Sequence, residues 1–401
     1  MKILIHDYAG HPFQIQLSRE LAQSDDLVIH AYAGGLLTPQ AAMGNQPDDP
    51  SSLSVRMIPI DSRYRQNKYK YLKRRGYELD YGRRLAELIR LDKPDVVLCA
   101  NTPSEILSMA SRATHESGGV FIPWIQDFYA EAVARSVADK WCGLGKVVGA
   151  YYRKIEASTI RKSEQVIAIT TDFIPLLEQY SVDQKRVTVI PNWSPLEQMP
   201  QRPRDNAWAE SHALCDKKVF LYSGTLGLKH RPELLLNLAS RYHEDPRVRV
   251  VVVSEGPGME FLQKAKEAAS LTNLILLPFQ PFEELPYVMA SADVLIALLE
   301  PDAGIYSVPS KVLTYLCAGR PILASIPTKN LAARIIIEEG VGYCSEPNDE
   351  KRFLHYSEKL INTLDNSEEY GKLARTYAEN NFDIKRIASK FKAVFHEALK
   401  R

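Results

Sequence analysis

The sequence has few cysteines, and their positions do not indicate a disulfide framework or a zinc site. Its 401 residues include five cysteines, with no Cys-x-x-Cys pair among them. They are Cys99, Cys142, Cys215, Cys317 and Cys344. This scatter predicts a reducing compartment, which we expect to be the cytoplasm. A signal-peptide pattern and an apolar run of about 18 residues are also absent, so we expect neither secretion nor a membrane-spanning helix.

Several motifs of nucleotide and metal chemistry are absent as well. No Gly-x-Gly-x-x-Gly occurs, which disfavours a nicotinamide dehydrogenase or a nucleotide-sugar epimerase. No Gly-Lys-Ser/Thr of the Walker type occurs, which disfavours a nucleoside triphosphatase. There is no Asp-x-Asp, and the nine histidines show no ligand spacing, so we expect no metal site. A two-lobed periplasmic binding protein is disfavoured because it would need a signal peptide.

The charge is balanced over the whole chain but not locally. Fifty Lys+Arg and 49 Asp+Glu give a formal charge of +1, which excludes a globally basic nucleic-acid binder, and we expect no nucleic acid as partner. Residues 63–90 nevertheless carry seven more basic than acidic residues, with five tyrosines interleaved. Residues 140–154 form a second basic and apolar segment. Both segments suit an anionic membrane surface. The alternative is a solvated helix face.

Short β-rich runs alternate with longer helical patterns, which predicts an α/β fold with two Rossmann-like, doubly wound parallel sheets. We expect an N-terminal domain over 1–192, a proline-rich linker over 193–209 and a C-terminal domain over 210–375. An amphipathic helix is expected over 376–401. Ligands bind beyond the carboxyl ends of such strands, so we expect the site in a cleft between the two domains.

Three glycine-containing loops follow predicted strands. Residues 8–12 (YAGHP) and 222–231 (YSGTLGLKHR) each lead into a helix, and the second loop carries three basic side chains. Glycine permits close backbone approach, and a helix N-terminus attracts anions, so these loops are candidate phosphate sites. Residues 254–258 (SEGPG) repeat the pattern more weakly. The alternative in each case is an ordinary surface turn.

The most specific segment is residues 300–322, where an acidic loop is followed by Pro-Ser-Lys and then by Ala-Gly-Arg-Pro-Ile. The loop offers carboxylates for sugar hydroxyls, while its N–H groups and Lys311 suit phosphates. Together with residues 222–224, 255–257 and 273–292, this segment resembles the retaining glycosyltransferases of family 4, which have the GT-B fold. The resemblance covers essentially the whole chain, and the Pro-Ser-Lys variant resembles enzymes that assemble bacterial envelope polysaccharides.

The resemblance implies a nucleoside-diphosphate sugar donor, most often a UDP-sugar, and a lipid-linked or saccharide acceptor. We expect no cofactor and, given the absent metal motifs, no metal ion. The basic segments 63–90 and 140–154 lead us to expect a peripheral position on the inner face of the cell membrane. The resemblance also implies that the C-terminal helix crosses back to the N-terminal domain. Thr314 and Tyr306 stand where the family has two glutamates, and Gln126 precedes Asp127 where many members have histidine. Asn192 matches the family's Pro-Asn at the domain hinge. These departures leave open a degenerate, scaffold-like relative.

The resemblance and the chemistry of the loops together give two sets of candidate residues. The catalytic candidates are Lys229, Lys311, Asp127 and Gln126. The donor-binding candidates are Gly10, His11, Ser223, Gly224, Thr225, Glu255, Gly256, Phe279, Gln280, Glu300, Asp302, Gly304, Ser307, Ser310 and Thr314.

Overall fold

The computed structural model describes residues 1–34, 44–67, 70–138, 143–227, 230–304, 307–363 and 367–400. The chain forms two compact units, one of Met1–Asn192 with Ile384–Arg401 and one of Trp193–Asp383. The first unit therefore ends where the sequence places its domain boundary. The segment expected as a linker, 193–209, clusters with the second unit.

The first unit is built on a parallel sheet with the strand order β3-β2-β1-β4-β5-β6-β7. Its strands are β1 (Lys2–Asp7), β2 (Leu27–Gly34), β3 (Leu53–Pro59), β4 (Val96–Ala100), β5 (Val120–Ile125), β6 (Val166–Ala168) and β7 (Val187–Val189). Its helices up to the unit boundary are α1 (Pro12–Leu21), α2 (Tyr64–Asn67), α3 (Tyr71–Asp92), α4 (Ser104–Glu116), α5 (Tyr129–Val137), α6 (Leu144–Lys162) and α7 (Ile174–Gln179).

The second unit repeats the plan with the order β10-β9-β8-β11-β12-β13. Its strands are β8 (Lys218–Ser223), β9 (Val248–Val253), β10 (Leu274–Leu277), β11 (Val294–Leu298), β12 (Ile322–Ser325) and β13 (Gly342–Ser345). Its helices are α8 (Ala207–Ser211), α9 (Pro232–Arg241), α10 (Pro257–Ala268), α11 (Leu285–Ala290), α12 (Lys311–Ala318), α13 (Leu331–Glu338), α14 (Glu350–Asn362) and α15 (Ser367–Asn381). The prediction of two doubly wound parallel sheets is confirmed. Strand β13 was not predicted.

The C-terminal segment contains a break that the sequence analysis missed. Helix α15 ends at Asn381 and packs on α12, where the Arg375 guanidinium donates to the carbonyls of Met199 and Cys317, at 2.9 Å each. The last helix, α16 (Ile384–Leu399), packs against α1 and β5 of the first unit. The chain therefore returns to that unit at Ile384, eight residues later than the expected helix start at 376.

Helix α16 is held to the first unit by an apolar stripe and an ion pair. Its buried residues Ile387, Phe391 and Phe395 recur every four positions, which places them on one face. The ring of Phe391 packs edge-on against Trp124 of β5, with centroids 4.8 Å apart. Lys392 Nζ lies 2.9 Å from the Asp26 carboxylate. Among the described residues, no helix is both long and apolar enough to cross a bilayer.

Strand order fixes where each sheet can bind a ligand. In the first sheet the crossovers reverse direction between β1 and β4, and in the second between β8 and β11. The strands at these points are almost wholly buried and run in parallel, so the loops after them leave the sheet side by side at its carboxyl edge. These loops carry most of the candidate residues.

Candidate functional site

Lys311 is the most unusual side chain at the carboxyl edge of the second sheet. It opens α12, and its ammonium donates a hydrogen bond to the Tyr222 hydroxyl and lies 3.8 Å from the centroid of that ring. The residue as a whole is partly exposed, but the ammonium itself is enclosed, and this burial lowers its pKa to about 7. Among the described residues, no carboxylate lies within 4.0 Å of Lys311 Nζ. The site thus holds a cation without an acidic counter-ion.

Gly224 lies directly against this ammonium. Its φ of 127° is in the region that favours glycine, and a Cβ built there would lie 3.4 Å from Lys311 Cε and 3.5 Å from Nζ. The Gly224 N–H donates to the Val253 carbonyl at 3.1 Å, and its own carbonyl accepts from Ser254 Oγ at 2.7 Å. This N–H is thus engaged within the fold, and the expected phosphate contact by the backbone around Gly224 stays a prediction. The glycine keeps open the space beside Lys311.

Backbone hydrogen bonds join the loop after β8 to the loop after β9. The Leu226 N–H donates to the Glu255 carbonyl at 3.0 Å, and the Gly258 N–H donates to the Leu226 carbonyl at 3.1 Å. Gly256, with a φ of 112°, allows this approach, because a Cβ there would lie 3.0 Å from the Leu226 carbonyl oxygen. The structure thus gives Gly256 a clear role in shaping the loop pair. Thr225 lies at the exposed tip between them.

The acidic loop after β11 is anchored by a residue that the sequence analysis missed. The Asn330 side chain, almost fully buried, donates from Nδ2 to the carbonyls of Gly304 and Ser307, at 2.8 Å each. A Cβ on Gly304 would collide with Pro327 at 2.5 Å, so the loop also packs closely on the turn that precedes α13. The only signal in the sequence is a turn ending in asparagine before an apolar helix, which indicates a helix cap. Hydrogen bonds from Asn330 and packing against Pro327 thus both hold the loop in place.

Glu300 begins this loop and is partly buried. Burial raises the pKa of its carboxyl group; Arg231 opposes the shift, whereas Glu233 and Asp302 reinforce it. A carboxylate at this position could accept hydrogen bonds from sugar hydroxyls. At the other end of the loop, Ser310 precedes α12 without a capping hydrogen bond from its side chain.

Three further donor-binding candidates lie in the second unit, namely Ser223, Phe279 and Gln280. Ser223 is buried at the end of β8, and Phe279 is partly buried after β10. The Gln280 side chain is engaged within the unit, because its Oε1 accepts from Trp208 Nε1 at 3.2 Å and its Nε2 donates to the Pro278 carbonyl at 2.9 Å. Both ends of this side chain therefore serve the fold. Its expected role in donor binding stays a prediction.

Of the two residues that stand in place of the family's glutamates, only Thr314 lies among the described residues. The Thr314 hydroxyl lies 3.4 Å from Ser194 Oγ, so it already has a partner within the second unit. Lys229 and Tyr306 lie outside the described residues.

Backbone N–H groups of the loop after β1 donate to a carboxylate of the same chain. The buried Asp7 carboxylate accepts the N–H groups of Gly10, at 2.8 Å, and His11, at 2.7 Å. Burial opposes ionisation of Asp7, but the hydrogen bonds and charge of His11 and the nearby His30 lower its pKa overall. The amides of Gly10 and His11 thus donate to Asp7 in this structure, and the expected donor-binding role of these two residues stays a prediction.

Polar residues with unusual features follow β4, β5 and β7. Gln126 is only 6% exposed, and its Nε2 has no hydrogen-bond partner among the described residues. Asp127 follows it directly. The buried Asn192 Oδ1 likewise lacks a partner among those residues. Asn101, after β4, has a φ of 45°, a strained value often found at functional sites, and was not predicted. A buried donor without a partner is costly, so Gln126 is a strong candidate ligand contact.

Two buried carboxylates hold the segment after Gln126 in place. Glu156 of α6 accepts from Ser104 Oγ at 2.8 Å and from the Ala130 N–H at 3.0 Å. Glu78 of α3 accepts from the Tyr129 hydroxyl at 3.1 Å. The start of α5 is therefore fixed by side chains from two other helices. Among the described residues, no three His, Cys, Asp or Glu side chains converge to form a possible metal site.

Family comparisons match nearly the whole chain. Residues 16–193 match the "Glycosyl transferase 4-like domain" family and residues 205–377 match "Glycosyl transferases group 1". A curated relative, the putative colanic acid biosynthesis glycosyl transferase WcaI of Escherichia coli K12, is 24% identical over 69% of this chain and 67% of its own. The probable glycosyltransferase WbjE of Pseudomonas aeruginosa is 23% identical over 65% and 64%, respectively.

Solved structures show the same fold. HepE of Anabaena, crystallised with UDP-glucose, superposes with a TM-score of 0.73 at 14% identity, covering 99% of both chains. WaaG, a glycosyltransferase involved in lipopolysaccharide biosynthesis, gives a TM-score of 0.69 at 15% identity, covering 98% of this chain and 99% of its own. These results confirm the resemblance predicted from the sequence. The chain belongs to the group 1, 4-like glycosyltransferases and has the GT-B fold.

Proposed function

We propose that this glycosyltransferase moves a sugar from a UDP-sugar to a lipid-linked or saccharide acceptor in bacterial envelope polysaccharide synthesis, with retention of anomeric configuration and without a metal ion. The observation that carries the proposal is the enclosed ammonium of Lys311, which lacks an acidic partner among the described residues. A diphosphate would supply the missing negative charge. The UDP and UDP-glucose bound by HepE, and the names of WcaI and WaaG, support the donor and the pathway.

The reaction needs little side-chain acid–base chemistry. The bond between the anomeric carbon and the β-phosphate oxygen breaks, and its electron pair stays on the leaving diphosphate. The acceptor hydroxyl attacks the same face of the sugar, and its proton passes to a leaving phosphate oxygen. Lys311 would stabilise the charge that accumulates on the diphosphate. Gln126 Nε2, a buried donor without a partner among the described residues, would bind a hydroxyl of the transferred sugar.

The test is turnover with a panel of UDP-, GDP-, ADP- and dTDP-sugars and a purified lipid-linked acceptor, in excess chelator. We expect a UDP-sugar to be used, and replacement of Lys311 by alanine to lower kcat by about 10²- to 10³-fold, as for a lost oxyanion donor. NMR of the product should show the anomeric configuration of the donor. Normal turnover in the alanine variant would refute the role of Lys311. Loss of activity with chelator would refute metal independence.

We propose in addition that the first unit rests on an anionic membrane, as a peripheral protein on the cytoplasmic face. The supporting surface is the exposed face of α6, where Leu144 and Val147 are 64% and 65% exposed and Tyr151 follows one turn later. Lys146 and Lys154 are exposed on the same helix. Apolar side chains flanked by lysines suit the boundary between headgroups and acyl chains.

In the segment 63–90, fewer basic and aromatic side chains are available to contact a membrane than the sequence predicts. Five of its arginines pair with carboxylates, and three of those carboxylates lie outside the segment, which reduces its positive excess. The pairs are Arg63–Asp61, Arg74–Glu78, Arg75–Glu105, Arg84–Asp80 and Arg90–Glu116. Tyr64 and Tyr81 are buried, as is Tyr152 of the second segment. Trp141 lies outside the described residues.

Liposome flotation at low salt tests the membrane proposal. The double variant Leu144→Glu/Val147→Glu should lose binding to phosphatidylglycerol vesicles. The control is Leu91→Glu, since Leu91 is 77% exposed at the far end of α3. Equal binding by the two variants, or no binding by the unaltered protein, would contradict the proposal.

A further inference from the structure

A polar groove of about 250 Å³ lies between α4 and α6 of the first unit. It is lined by Ser108, Ser111, Arg112, His115 and Glu116 from α4 and by Ser158, Thr159 and Lys162 from α6. Apart from Ser108, these residues lie in the carboxyl-terminal halves of both helices, shortly before β5 and β6 begin. The groove is therefore at the amino edge of the sheet, whereas Asn101 and Gln126 lie at its carboxyl edge. It is separate from the candidate donor-binding residues.

The hydroxyl groups of this groove have unused hydrogen-bonding capacity. Among the described residues, Ser108, Ser111 and Ser158 have no hydrogen-bond partner for their side chains. Ser111 is 6% exposed as a residue and lines the groove. By contrast, Thr159 Oγ1 donates to the Ile155 carbonyl at 2.9 Å. The three serine hydroxyls that no described protein group engages can exchange hydrogen bonds with a polar ligand in the groove.

The charges of the groove leave a net positive potential. Glu116 is paired with Arg90 at 2.8 Å, and His115 lies 3.2 Å from Glu164, so the two carboxylates nearby are already matched. Arg112 and Lys162 have no carboxylate within 4.0 Å among the described residues. An arginine and a lysine beside three free hydroxyls form a surface that recognises an oxyanion together with hydroxyl groups.

We propose that this groove is a second binding site, for a hydroxylated anion of sugar-phosphate size. The volume is too small for the mostly apolar ligands that larger pockets take, and larger than a single phosphate group requires. The cations would bind the oxyanion, and the serine hydroxyls would exchange hydrogen bonds with the sugar hydroxyls. A phosphate ester and a uronic acid share this chemistry, and the two are distinguished by the probes used.

Isothermal titration calorimetry at low salt tests the proposal, with glucose 1-phosphate, glucuronate, inorganic phosphate and glucose as probes. All titrations use a Lys311→Ala background, which weakens binding of phosphates at the donor site. The groove variant is Arg112→Glu/Lys162→Glu. The control is Lys185→Glu/Lys390→Glu, which makes the same charge change at exposed lysines of the same unit.

We expect glucose 1-phosphate or glucuronate to bind, at least 10-fold more tightly than glucose or inorganic phosphate. The groove variant should weaken this binding at least 10-fold, and the control less than 2-fold. Unchanged melting temperatures will show that both variants are folded. Three results would overturn the proposal: no binding of either anionic sugar, equal weakening in the two variants, or equal affinity for inorganic phosphate, since the hydroxyls would then contribute nothing.

Discussion

Donor affinity should depend on pH through Lys311. Burial sets the pKa of its ammonium at about 7, so the free protein holds this lysine half-protonated near neutral pH. Only the protonated form offers a charge to the diphosphate. Between pH 6 and about 8.5 a UDP-sugar carries essentially only the two negative charges of its diphosphate, because the uracil N3–H ionises above that range. Binding of the donor should therefore draw a proton onto Lys311.

The magnitude follows from the fraction protonated. Between pH 6 and pH 8 that fraction falls about 10-fold for a group with a pKa near 7, so the dissociation constant of the donor should rise about 10-fold. Lys311→Arg should flatten this dependence, because an arginine stays charged. Calorimetry at pH 7 in buffers of different ionisation enthalpy should also detect the uptake of about half a proton.

Removal of this lysine should weaken donor binding but stabilise the folded protein. Its folded pKa lies below the unfolded value of 10.5, so the unfolded chain binds more protons between pH 7 and pH 10.5, and stability rises with pH across that window. Near pH 7 the buried charge costs about 4 kcal/mol, and the contact with the Tyr222 ring offsets about 1–2 kcal/mol. Lys311→Met should thus raise the free energy of unfolding by about 2 kcal/mol while weakening donor binding.

Two results would refute this reasoning. One is a donor dissociation constant that does not change between pH 6 and 8.5. The other is the same pH dependence in Lys311→Arg as in the unaltered protein. Denaturant unfolding of Lys311→Met supplies the independent control, because a misfolded variant would lose donor binding and stability together.

Three further changes test the site and its support. Gly224→Ala should reduce donor affinity about 10-fold or more, because a φ of 127° is unfavourable for alanine and the loop beside Lys311 would have to shift; equal affinity in calorimetry would contradict this. Burial raises the Glu156 pKa from 4.5 to about 7, so its contribution to stability falls as pH rises from 4.5 to 7, by up to about 3 kcal/mol. In denaturant unfolding, the free energy of unfolding of Glu156→Gln should not show this fall between pH 4.5 and 7. A pH profile parallel to that of the unaltered protein would refute the prediction. Phe391→Ala should cost about 3–5 kcal/mol of unfolding free energy through the cavity left beside Trp124, and a loss below 1 kcal/mol would contradict the packing.

The sequence predicted the fold well because the strands are almost continuously apolar. Runs such as Val248–Val253 can only be buried on both faces, which indicates a parallel sheet covered by helices. The break between α15 and α16 was missed, although Phe382 and Ile384 lie only two positions apart, which does not fit the apolar spacing of one continuous helix. Helix ends set by tertiary contacts, such as those of Arg375, leave little trace in a local pattern.

The candidate site was predicted by type of residue more successfully than by role. Gly10 and Gln280 were chosen for chemistry that their positions allow, yet the structure engages them with Asp7 and Trp208. Such pairings decide whether a polar group is free for a ligand, and a motif does not specify them. The same holds for the basic segment 63–90, since the carboxylates that pair with its arginines come partly from other elements.

The pairing of Lys311 with Tyr222 shows why the strand order matters for function. The two residues are 89 positions apart, but β8 and β11 are neighbours at the switch point of the second sheet. Tyr222 lies near the end of one strand, and Lys311 opens the helix that follows the other. Any ligand that binds the ammonium therefore acts on the loops after both strands at once. Because Asn330 pins one of those loops, the cation is held in place before the donor arrives, and donor binding need not order it.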